Sequence, residues 1–176
     1  MLIPLLISLA AASAPTRDAC SLLATEDVKR VLGSDIAERK PATEDARGLL
    51  LFQCYIGTGT PRAVSIAMAG DTKAGSRTIS PREFWRAQFH PHAARGSEGK
   101  AGQRDAREEQ EMEVRPIRGI GDEAFWSGTR VAGALYVLRG NTFIRVSVGG
   151  IRHESERIEK SRQLAVSALA RLSKPR

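Results

Sequence analysis

The stretch Val131-Ala-Gly-Ala-Leu-Tyr-Val-Leu-Arg-Gly-Asn-Thr-Phe-Ile-Arg-Val-Ser-Val148 decides the fold. Two runs rich in β-branched and aromatic residues flank Arg139-Gly140-Asn141, a tight-turn signal, so the segment predicts an antiparallel hairpin. In the returning strand Ile144, Val146 and Val148 point one way, with Arg145 and Ser147 opposite. A helix over about residues 153–172 follows. Ile158, Ala165, Leu169 and Leu172 form its apolar stripe, broadened by Val166, while Arg157, Lys160, Arg162 and Arg171 fall mostly outside it.

The same order occurs upstream. Leu50, Phe52, Cys54 and Ile56 alternate onto one face of a strand, and Val64, Ile66 and Met68 do so in the next. Gly57-Thr-Gly-Thr-Pro61 joins them. Ser80-Pro81-Arg82-Glu83 is a capping box that opens a helix with Phe84, Trp85, Ala87 and Phe89 on its apolar side, and Pro91 ends it. Residues 49–90 and 130–172 therefore both read as hairpin then helix, a faint internal repetition.

Between and before these units the pattern is shorter. Thr25 as N-cap, Glu26 and Asp27 in the first turn and Gly33 at the stop predict a helix that buries Val28, Val31 and Leu32. Residues 37–47 are polar, contain Pro41 and read as a loop. Val114–Ile117 reads as a short strand. Gly119-Ile-Gly-Asp122-Glu123-Ala-Phe-Trp126 reads as a turn entering another. Residues 95–113 hold few large apolar side chains, and 95–118 carries six basic and six acidic residues. That balance predicts a solvated loop or a mobile polar helix, not a basic arm. The sum is α+β: a single domain over residues 15–176, an antiparallel sheet flanked by helices. A chain of 176 residues suits one domain.

Residues 1–14 carry no charged side chain. The run is too short to span a bilayer, which takes about 20 residues, and it fits a signal peptide cleaved after Ala12 or Ala14. The n-region has no Lys or Arg, so a buried N-terminal element of a cytosolic protein is the competing reading. Arg17-Asp18 before Cys20 do not make a lipobox. Export predicts a periplasmic or secreted, soluble protein without a transmembrane segment after cleavage. Cys20 and Cys54 are the chain's two cysteines. In an exported chain they invite one structural disulfide; in a cytosolic one they read as unpaired core residues.

Motifs that carry chemistry are few. Gly57-x-Gly59 lacks the third glycine and the strand–helix setting of a dinucleotide loop, and no Walker loop, HExxH or GxSxG occurs. His90, His92 and His153 could supply three nitrogen ligands, but the surface-histidine reading prevails because no acidic or thiol ligand is near in sequence. No metal and no cofactor is expected. Asp122 and Glu123 suit a turn that satisfies backbone amides, and they join Trp85 and Trp126 as candidate contact residues. Glu108, Glu109, Glu111 and Glu113 sit among arginines as a solvated charge run. The net charge is +7, and residues 152–176 hold seven basic against three acidic side chains. Nucleic acid is not the expected partner, because this basic helix has no stacking aromatic. An unknown protein or an anionic envelope component suits an exported basic chain better.

The string Cys20-Ser-Leu-Leu-Ala-Thr-Glu-Asp-Val-Lys-Arg-Val-Leu-Gly33 resembles the start of a group of small exported bacterial domains of unknown function, many of them lipoproteins. Cys54-Tyr55, Gly119-Ile-Gly-Asp-Glu-Ala124, Leu138-Arg-Gly-Asn141 and Ala168-Leu-Ala-Arg-Leu172 also resemble that group. The resemblance covers most of residues 20–172. It implies a PsbP-like α/β sandwich with its two cysteines bridged, accessory or binding roles, and no catalytic residues to transfer. The absent lipobox departs from the lipoprotein members. The expected function is a non-enzymatic exported binding or accessory module, contacting its partner through a concave sheet face closed by the 95–113 stretch. The alternatives are an envelope enzyme with a site near Asp122, His90 and His92, and a basic nucleic-acid-binding protein.

Overall fold

A computed structural model of the chain describes residues 18–46, 48–69, 79–90 and 113–172. A 3-10 turn, Ala19–Leu22, precedes α1 (Thr25–Leu32), β1 (Ile36–Ala46), β2 (Leu49–Thr58), β3 (Ala63–Ala69) and α2 (Pro81–Phe89). Then come β4 (Glu113–Pro116), β5 (Glu123–Gly128), β6 (Gly133–Arg139), β7 (Thr142–Gly149) and the long α3 (Glu154–Leu172). The strands form one seven-stranded sheet in the order β1-β2-β3-β7-β6-β5-β4, with every neighbouring pair antiparallel. The two expected hairpins meet at its centre, where Ile66 lies opposite Val146. The α+β architecture is as expected. The expected leader over residues 1–14, His92, Glu108, Glu109, Glu111 and the charged stretch up to residue 112 lie outside the described residues.

Side-chain alternation divides the core in two. On the first face Cys54, Ile56, Val64, Ile66, Val146, Leu135 and Trp126 pack with Val28, Val31 and Leu32 of α1 and Leu164, Ala165, Ala168 and Leu169 of α3. On the second face Leu49, Leu51, Ala69, Leu138 and Phe143 pack with Trp85 of α2. Cys20 and Cys54 are bridged, with Cα atoms 4.9 Å apart, so the 3-10 turn is tied to β2 on the first face.

Residues 37–47 are not a loop: 36–46 form the 11-residue edge strand β1. Its residues are mostly exposed, so no apolar alternation marks it. Pro41, opposite Cys54, is tolerated because one row of edge amides has no strand to bond. In β2 the expected apolar face holds Cys54 and Ile56, but Leu49 and Leu51 are also buried, on the other face. Ala24, not Thr25, is the N-cap of α1 and makes no side-chain cap bond. Gly33 ends α1 as expected, left-handed at φ 71°.

The stripe of α3 differs most. Val166 is 53% exposed, whereas Arg157 and Ser161 are buried within the seam. The internal repetition does not survive as a structural repeat. A rotation that exchanges adjacent antiparallel strands keeps each face on its own side, so a repeat would seat α2 and α3 on one face. They sit on opposite faces, because β2 and β7 carry apolar residues on both sides at α2's end.

Candidate binding face

The helix α2 is fixed on the second face by its cap and its aromatic residues. Ser80 accepts from the Glu83 amide (3.2 Å) and Glu83 accepts from the Ser80 amide (2.7 Å), completing the expected capping box. Trp85, Phe84 and Phe89 then meet Phe143, Phe125 and Tyr136, so six of the chain's nine aromatic residues gather here. Phe84 stacks on Phe143 at 5.5 Å and Phe89 on Phe125 at 4.8 Å. Glu123 receives the Trp85 indole N–H (3.0 Å) and pairs with His90 Nε2 (2.8 Å). The Trp85 hydrogen bond, followed by that of His90, holds the Glu123 carboxyl below its ordinary range against a smaller effect of burial.

This helix covers only one end of the face. Strand register places Glu44, Leu51, Ala69, Phe143, Leu138 and Glu123 in successive cross-strand positions beside it. The next row runs Ala42, Gln53, Ala67, Arg145, Tyr136, Phe125 and Pro116. Beyond it lie Lys40, Tyr55, Ser65 and Ser147, then Ala134, Ser127 and Val114. Among the described residues no helix or strand packs over these outer rows. Tyr55 is 43% exposed and Val114 44%. Arg145 stands at the centre, on the middle strand of seven. It is half-buried, and among the described residues it has no hydrogen-bond or ion-pair partner.

Other basic side chains are spent on the backbone. Buried Arg157 donates to the carbonyls of Ile151 (3.0 Å), Arg152 (2.9 Å), Thr129 (3.2 Å) and Arg130 (2.9 Å). Arg62 donates to Leu32 O and Lys160 to Val31 O, both at 2.6 Å, satisfying carbonyls that the end of α1 leaves open. Arg39 holds the carbonyls of Cys20 and Leu23, Arg82 that of Gly140, Arg139 that of Leu169 and Arg171 that of Ser167. Arg171 also bonds Asp27 at 2.6 Å, with Arg30 at 2.6 Å and Ser167 at 3.2 Å on the other carboxylate oxygen. Burial raises the Asp27 pKa, and the Arg171 charge with the three hydrogen bonds overcomes it, for a net lowering.

The four residues singled out from the sequence separate. Trp85 and Trp126 are both buried, at 2% and 0% exposure. Trp126 lies on the first face, where its indole N–H donates to Glu154 (2.9 Å), a carboxylate that also pairs with Arg115 (2.7 Å). Asp122 is a turn residue, accepting from the Gly140 amide at 2.7 Å. Glu123 is the exposed partner of Trp85 and His90. Asp122 and His90 are therefore engaged with different groups. Among the described residues no three His, Cys, Asp or Glu side chains are grouped to hold a metal ion. The alternation of β7 places Arg145 opposite its apolar face but assigns it no role. Its signal was a charge at an odd position of a central strand whose outer face an antiparallel sheet leaves free.

No protein-family model, curated protein or solved structure matches the chain.

Proposed function

We propose that the protein is an exported, periplasmic or secreted, accessory module that binds a partner through the outer rows of its second sheet face. The uneven covering of the sheet carries the reading. Among the described residues, helices α1 and α3 roof the first face, while α2 roofs only the Phe143 end of the second. The remainder presents Tyr55 and Arg145 over a floor of Ser65, Ala67 and Ser147. Tyr55 and Arg145, which among the described residues form neither core nor ion pair, suit contact with another molecule. Export is supported by the uncharged start of the chain together with the Cys20–Cys54 bridge. A PsbP-like accessory module agrees with an antiparallel sheet that has helices against both faces. Among the described residues no helix is long and apolar enough to cross a membrane.

The test is a photo-crosslinker placed at Tyr55 in the protein expressed in its own cells, beside a control at Val166 on α3. An adduct formed from position 55 and absent from position 166 is the expected result. Equal adducts from both positions, or none from 55, would remove this surface from consideration.

A further inference from the structure

We infer that the partner is a protein that places one Asp or Glu carboxylate on Arg145, an inference resting on the binding face just described. Arg145 lies between Ala67 on β3 and Tyr136 on β6, with Phe143 and Ser147 before and after it on its own face. Ala67 is fully buried and carries no polar side-chain atom, so it offers the guanidinium no acceptor on that side. Ser147 is turned to the Gly133 carbonyl (2.7 Å), and Gln53, in the same row, is bonded to Glu44. Ser147 and Gln53 are thus occupied, and among the described residues no acceptor holds the guanidinium.

The surroundings select the class of partner. A planar guanidinium matches one carboxylate with two parallel hydrogen bonds. A phosphate-rich polymer is held instead by several cations following its backbone. The nearest other cation in these rows, Lys40, is paired with Glu38 at 2.7 Å, so among the described residues of these rows Arg145 is the one unpaired positive charge. Tyr55 flanks it two strands away, across Ser65 and Ser147. Five strands of the sheet span roughly 20 Å, which suits a peptide segment better than a small acid. The complement is an acidic side chain on such a segment, with its neighbours against exposed Tyr55 and half-buried Ser65 and Ser147.

The Tyr55 crosslink provides the readout, now in the background of Arg145→Glu, Arg145→Gln and Arg145→Lys. Each variant is first checked for an unchanged far-ultraviolet dichroism spectrum and an intact disulfide by mass. Adduct yield should fall at least tenfold in Arg145→Glu and by a smaller factor in Arg145→Gln. Arg145→Lys should retain a substantial part. The crosslinked peptide should carry Asp or Glu, and its exchange for Lys should restore the adduct with Arg145→Glu. An adduct equally strong in Arg145→Glu would overturn the carboxylate inference while leaving the binding face standing. Absence of an adduct from Tyr55 in the unsubstituted chain would remove both. An adduct to a glycan or lipid would replace the protein partner by an anionic envelope component.

Discussion

Arg157 is the residue whose removal should cost most. One guanidinium closes four carbonyls from two loops, 129–130 and 151–152. It is 2% exposed, so water does not readily take its place. Arg157→Leu should lower stability by about 3–5 kcal/mol in urea unfolding, since buried carbonyls lose their donors. Arg157→Lys should recover only part, because an ammonium is a point donor and cannot bridge both loops. A loss below about 1 kcal/mol in Arg157→Leu would mean that other donors reach those carbonyls. Asp27 gives a pH test at the same scale. Its folded pKa is depressed, so its contribution is complete above the unfolded value near 3.9 and disappears as pH falls through the folded one. Stability should therefore decline on acidification below about pH 4–5, and Asp27→Asn should start lower at pH 7 and decline less. Parallel pH profiles for the two proteins would remove Asp27 from the acid response.

Elements were legible where an apolar pattern met a cap or a turn. The Ser80–Glu83 box placed α2 from four residues, and Ser80→Ala should cost about 1 kcal/mol by calorimetry; no change would show that the aromatic packing alone seats the helix. The β6–β7 hairpin was legible from its alternation and from Gly140-Asn141. In contrast, β1 was hidden because an edge strand with two exposed faces has no period to detect, and its proline mimics a loop. The α3 seam was misread at Arg157 and Ser161 for a related reason. A cation is assigned to solvent by residue type, whereas here the main-chain carbonyls of distant loops make it an interior residue. Close approach was equally invisible. A Cβ on Gly133 would stand 2.3 Å from Trp126 Cζ2, a ring that is completely buried. Gly133→Ala should therefore destabilise the protein by roughly 1–3 kcal/mol and shift the Trp126 fluorescence. Unchanged stability and spectrum would show that β6 can move away at little cost.

At the scale of the molecule, the sheet separates two clusters that different constraints hold. The disulfide closes a loop of 35 residues containing α1 and β1, and chain entropy gives it about 4 kcal/mol of stabilisation. Its atoms belong to the first face, together with the Arg39 bonds to Cys20 and Leu23 and the Asp27–Arg171 pair joining α1 to α3. The second face relies instead on α2, the aromatic cluster and the Trp85–Glu123–His90 bonds. The net charge of +7 follows the same logic: on the first face several of its carriers close backbone carbonyls, while Arg145 on the second has no hydrogen-bond or ion-pair partner among the described residues. Reduction should accordingly lower the urea midpoint and raise amide exchange first in the 3-10 turn, α1 and β1. The amides of α2 and the central strands should stay protected until global unfolding. Cys20→Ala/Cys54→Ala should reproduce the pattern. If reduction raised exchange uniformly, including in α2, the two clusters would be one cooperative unit. The second face would then depend on the redox state of the bridge on the opposite side of the sheet.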